Sequence, residues 1–270
     1  MPPAILRLLL GSTLLVAGGT VAGCDSGESL PEPVSKRIEL VIGDALPLSG
    51  PSAALGASAQ KAAQLAVEKV NDAIAEANVP HAVEIVHRDA HADGPRAAAL
   101  GLVRDGASCL IGPRSATGAR AVAAIAARSG RALAISTLRQ RKASPGAQRK
   151  LVVGLPPTGA ERALDTESES PDPGPSVSFA RLYASTDPPI GPARTSDGRQ
   201  FDTTLLCYLA AVAAGSERAS RLAGRLGPVA HPARSYGWQE LPDAVEALSR
   251  RRSIEYLGVT LRIGVSAIGP

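Results

Sequence analysis

The residues able to do chemistry are few and scattered. The four histidines fall at 81, 87, 91 and 231. His87 and His91 stand four residues apart, the spacing that puts two imidazoles on one helix face to hold a metal. Residues 82–86, Ala-Val-Glu-Ile-Val, alternate as a strand does, so the pair falls on a strand end and its loop, and no metal is expected. Asp202, at the opening of an apolar run, is read as a helix start or cap. The chain carries no Gly-x-Ser-x-Gly elbow, no phosphate-cradling glycine loop and no Cys-x-x-Cys pair. This pattern points away from catalysis and from any cofactor, toward a protein that works by binding. Four groups are candidates for that role: Ser115, Thr117, Ser136 and Arg139, each close after an apolar strand. In an open parallel sheet, ligands sit at the carboxyl ends of the strands, where helix N-termini leave N–H groups without partners.

Those candidates need elements to position them. Residues 37–46 read as a buried strand closed by the turn Pro47-Leu-Ser-Gly-Pro51. From Ala54 to Ala77, Leu55, Ala59, Ala62, Ala66, Val70 and Ala73 recur at three- and four-residue spacing, which predicts a helix. A strand over 82–86 follows, then a helix from an Asp93 cap and Pro95 to about Arg104. A strand over 108–112, a helix over 118–128 capped by Ser115 or Thr117, and a strand over 131–136 complete an alternation that predicts a doubly wound parallel α/β sheet. A strand at 151–155 and a short helix at 158–164 come next. Residues 165–177 have linker composition. Beyond them the spacing predicts helices near 178–186, 199–214, 217–226 and 239–250, and a final strand within 254–265.

The start of the chain carries its own signal. Arg7 precedes an apolar and small-residue run from Leu8 to Gly23, too short and too glycine-rich for a stable transmembrane helix. Val21-Ala22-Gly23-Cys24 resembles the lipobox of bacterial lipoproteins, which implies a signal peptide over 1–23, a lipid on Cys24 and a polar tether over 24–35. The alternative is an ordinary cleavable signal with a chance cysteine. Cys109 then lies in an apolar strand and Cys207 in an apolar helix. They are expected as buried free thiols, with a disulfide as the other possibility. Aromatic residues make up 3% of the chain, too few for base-stacking platforms, and the net charge of +4 is modest. No nucleic-acid partner is expected.

Four stretches, in order, resemble the type I periplasmic solute-binding proteins, the branch that includes the branched-chain amino-acid-binding proteins. They are Ile42-Gly-Asp-Ala-Leu-Pro-Leu-Ser-Gly-Pro51 with Ala63–Asn71, Gly106–Ser115 with its alanine-rich helix, Phe201–Ser216, and Trp238–Leu248 with Ile254–Val259. The resemblance implies a first lobe over 36–164, a linker over 165–177, and a segment over 178–270 that returns to the first lobe and holds a remnant of the second. That second lobe, on the order of 100 residues in the family, is mostly missing here and is read as vestigial.

In the resembling proteins the loop after Ile-Gly-Pro gives a serine hydroxyl and helix N–H groups to an amino-acid carboxylate, a role that falls on Ser115, with Thr117 nearby. Capping alone also explains Ser115. Around Ser136 this chain departs from the family, because Leu138 and Arg139 are bulky; Arg139 either turns the site toward anionic solutes or is a solvated surface arginine. The implied function is an exported, membrane-anchored binding lipoprotein that passes a small polar solute, an amino acid or an analogue, to an ABC permease. The alternative is a single-lobe remnant that binds a protein at the cell surface.

Overall fold

A computed structural model describes residues 36–113, 115–138, 150–154, 161–165, 176–186, 191–227, 233–260 and 262–267; for 136–138, 150–154 and 161–165 it describes backbone alone. Strand β1, Ile38–Leu46, is the central organiser. It pairs in parallel with β2, His81–Asp89, over its whole length, Ile38 opposite His81 through Leu46 opposite Asp89. On its other edge it pairs in parallel with β3, Cys109–Ile111, which pairs in parallel with β4, Leu133–Leu138. The sheet continues antiparallel through β5, Lys150–Gly154, and β6, Glu161–Asp165, in the order β2-β1-β3-β4-β5-β6. The chain is therefore an α/β protein with four parallel strands and two antiparallel ones. The helix predicted over 158–164 is corrected here, since 161–165 is strand. Five residues are too few for a period of 3.6 to be told from a period of 2.

The two-residue period of the strands sorts their side chains to two faces. Ile38, Leu40, Ile42, Cys109, Ile111, Leu133 and Ile135 enter the larger core, with helices α1 (Ala53–Glu76) and α5 (Thr195–Ala214). Ala45, Leu110 and Ala134 face a smaller core closed by α2 (Pro95–Arg104) and α3 (Ala116–Ser129). Small residues allow the close approach on that side: a Cβ on Gly43 would lie 2.9 Å from Ala107 Cβ. Helix α2 begins after Gly94 with Pro95 in its first turn, so Gly94, not Asp93, holds the cap position.

Helix α4 (Val177–Ala184) adds Phe179 and Tyr183 to the larger core. Helix α5 is buried on nearly every side from Asp197 to Ala214, lying against β1, β3, β4, α1 and the later helix α7 (Leu241–Ser249). Its apolar run Leu205, Leu206, Leu209 and Val212 requires such cover, because each fully buried leucine contributes about 1.5–3 kcal/mol relative to exposure. A disulfide joins Cys109 of β3 to Cys207 of α5, with a Cα–Cα distance of 6.1 Å. This corrects the expectation of free thiols: α5 lies directly over β3, a juxtaposition hidden by a sequence separation of 98 residues.

After α5 the predicted helix over 217–226 shrinks to α6, Ala219–Leu222. A second sheet follows, of β7 (Ser235–Gly237), β8 (Ile254–Leu257) and β9 (Arg262–Val265), with β7 and β8 parallel and β9 antiparallel. The single final strand expected over 254–265 is thus a hairpin. Its Tyr236, Ile254, Tyr256, Ile263 and Val265 belong to the same core as β1 and α5.

Candidate functional site

At the carboxyl ends of β1 and β3 the chain forms a cleft of about 300 Å³, walled mainly by Leu46, Pro47, Leu55 and Ala59, with His91, Ser115 and Gln200 as polar lining. Its rim is the loop after β1. Asp89, at the end of β2, accepts hydrogen bonds from the backbone N–H of Leu48 at 3.0 Å and of His91 at 2.8 Å. The Ser49 hydroxyl and then the His91, Ala92 and Leu48 amides pull its carboxyl down to about 2, against a weaker opposing effect of desolvation. Gly50, at φ +70°, passes under the His91 ring, where a Cβ would fall 2.3 Å from Nε2. Gly56 lets α1 meet the backbone of Pro47, since a Cβ there would be 2.0 Å from the Pro47 carbonyl oxygen.

Across from this rim stands the N-terminus of α3. Ser115 caps it in extended conformation, its Oγ accepting from the Gly118 N–H at 3.1 Å. A hydroxyl that accepts one hydrogen bond keeps its proton to donate, so capping and ligand contact are compatible. The first-turn amides of a 14-residue helix add a favourable field for an anion there.

Beneath the cleft lies a buried polar cluster. Asp44 of β1 is 0% exposed, and Gln200 of α5 donates from Nε2 to its Oδ2 at 3.0 Å. His87, opposite Asp44 in the β1–β2 register, places Nδ1 3.5 Å from the same oxygen. A second buried carboxylate, Asp202, accepts from Tyr256 Oη at 3.0 Å, from the Val259 and Thr260 amides at 2.8 Å each, and from Thr260 Oγ1 at 2.7 Å. Burial pushes its carboxyl up to about 6 in spite of these donors. Asp202 lies mid-helix in α5 and ties the β8–β9 turn to it, which corrects the reading of Asp202 as a helix start. The start is Thr195, where Asp197 Oδ2 accepts from the Arg194 N–H at 2.8 Å.

Of the residues singled out in the sequence, Ser115 lines the cleft. Thr117 sits exposed in the first turn of α3 and is not part of the lining. Ser136 is not in a loop, as expected, but inside β4, its backbone opposite Val152 of β5; antiparallel pairing with β5 prolongs the strand past the predicted end. Arg139 and Cys24 lie outside the described residues. Gln200 and His91 were not foreseen as lining residues. For Gln200 the available signal is the polar series Asp197, Gln200, Asp202, Thr203 and Thr204 leading into the apolar run Leu205–Ala214 of one helix, because buried polar groups require partners. Among the described residues, no group of three or more histidine, cysteine or acidic side chains is placed to hold a metal, and no helix is long and apolar enough to cross a membrane. No family model matches the chain, and no curated protein matches it.

Proposed function

We propose that this chain is an extracytoplasmic solute-binding lipoprotein, anchored through Cys24, that presents a small polar solute, an amino acid or an analogue, to an ABC permease. The observation that carries this reading is the cleft at the carboxyl ends of parallel strands, where Ser115 and the α3 N-terminus offer donors to a carboxylate. The Cys109–Cys207 disulfide supports export, because such bonds persist chiefly in oxidising compartments.

The same cleft supplies a second reading. Every described residue lining it belongs to one sheet with its helices and loops, a face that a surface module could press against a protein partner. The two are separated by titrating the purified full chain with the common amino acids by protein-detected NMR. Three or four hydrogen bonds at about 0.5–1.5 kcal/mol each and about 2 kcal/mol from burying a short aliphatic portion, set against an association cost of about 4 kcal/mol or more, give at best a dissociation constant of roughly 1 mM for the monomer. Saturable shifts confined to residues 46–59, 90–95, 112–118 and 200 support solute binding; no shift across the panel at 20-fold higher concentration, about 20 mM, rejects it.

A further inference from the structure

We propose that Gln200 is the specificity-determining residue of the cleft, presenting its side-chain carbonyl oxygen to a hydrogen-bond donor, an ammonium or amide group, on the bound solute. Gln200 is 6% exposed and what it exposes faces the cleft. Its orientation is dictated by what lies behind it. Nε2 donates to Asp44 Oδ2 at 3.0 Å, and the reversed amide would set two acceptors face to face. Oε1 therefore points away from Asp44, and among the described residues it accepts no hydrogen bond. An amide whose N–H is held by a carboxylate is also the stronger acceptor at its oxygen, since hydrogen bonds in a chain polarise one another. Gln200 sits seven residues before Cys207, two turns along the same stripe of α5, and the disulfide pins that stripe to β3.

The cleft then has two polar ends of opposite character. The α3 N-terminus and the Ser115 hydroxyl supply donors; Gln200 supplies an acceptor; Leu46, Leu55 and Ala59 supply aliphatic wall, and Ser52 and His91 add further polar lining. A solute that satisfies all three carries an acceptor such as a carboxylate, a donor such as an ammonium, and a short aliphatic portion. This rests on the solute-binding reading above and adds the donor requirement to it.

The test uses the full chain and two probes, L-leucine and 4-methylpentanoate, which differ only in the amino group. Wild type is expected to bind L-leucine at least tenfold more tightly. In Gln200→Met that preference falls to twofold or less. Should the variant not fold, wild type labelled with 15N at glutamine side chains gives the answer: L-leucine shifts the Gln200 amide resonance, and 4-methylpentanoate does not. Equal affinity of wild type for the two probes, or an unmoved Gln200 resonance under saturating L-leucine, overturns the role of Gln200 and leaves solute binding standing. Binding of neither probe overturns both.

Discussion

Breaking the Cys109–Cys207 disulfide is the most informative perturbation of the fold. The two residues are 98 apart in sequence, so reduction frees a loop of about 100 residues in the unfolded chain. In the chain-entropy treatment a loop of that size corresponds to about 4.7 kcal/mol, and measured values run lower, so the expected loss is roughly 3–5 kcal/mol. With a urea m-value of about 2–3 kcal/mol/M, the unfolding midpoint falls by roughly 1–2 M. Cys109→Ala/Cys207→Ala should reproduce most of this shift, since both thiols lie in the apolar core and alanine leaves only a small void. The assay is urea unfolding followed by circular dichroism, with and without reductant, and thiol counting under denaturing conditions confirms the redox state. Two further free thiols at 109 and 207 in unreduced protein, or a midpoint that reductant leaves unmoved, would refute the reasoning. The first result would remove the bond, the second its energetic role.

Four other outcomes are expected. In Asp202→Asn the amide oxygen can still accept from Tyr256 and Val259, but its NH2 faces the Thr260 amide, whose orphaned N–H costs about 1–3 kcal/mol and lowers Tm by roughly 2–10 °C. Because burial lifts the Asp202 carboxyl to about 6 in the folded state from its ordinary 3.8, the folded chain binds more protons than the unfolded one between those values. Its contribution is therefore present below about pH 4 and lost as pH rises through about 6, a slope that thermal melts should show in wild type and not in Asp202→Asn. Gly56→Ala should destabilise by about 1–3 kcal/mol although alanine is the better helix former, because its Cβ would sit 2.0 Å from the Pro47 carbonyl oxygen; a higher Tm would contradict the close approach of that loop. Finally, metabolic labelling with a palmitate analogue should mark the wild-type chain and not Cys24→Ser, and equal labelling of the two removes the anchor assignment.

How far the sequence revealed these features follows from how local each one is. Strands β1 to β4 and helices α1 and α3 were legible because each announces itself within about ten residues by its own period and cap. Ser115 was legible for the same reason, as an N-cap falling directly after an apolar strand. The disulfide was not, since nothing near Cys109 or Cys207 reports that α5 crosses β3. Strand β7, Ser-Tyr-Gly, lacks the continuous apolar run that marks the equally short β3. Asp202 misled because Phe201-Asp202 looks like the opening of the apolar run, whereas α5 begins seven residues earlier through polar residues, of which Asp197 and Gln200 are buried. Gln200 and Asp44 are 156 residues apart, and only the packing of α5 against β1 joins them.

Helix α5 thus does three separate jobs on two of its faces. Cys207 fastens it to β3, Asp202 fastens the second sheet to it, and Gln200 reaches from it to the cleft. A solute seated against the described walls of the cleft is held best by polar groups that need little ordering upon binding. A helix crosslinked in its middle and clamped five residues earlier leaves the Gln200 backbone no freedom to lose, and the hydrogen bond to Asp44 removes the freedom of the amide as well. The second sheet, which touches no residue of the cleft lining by hydrogen bond among the described residues, bears on the site by this route: by holding α5 in place it keeps the acceptor of the cleft aimed before any solute arrives.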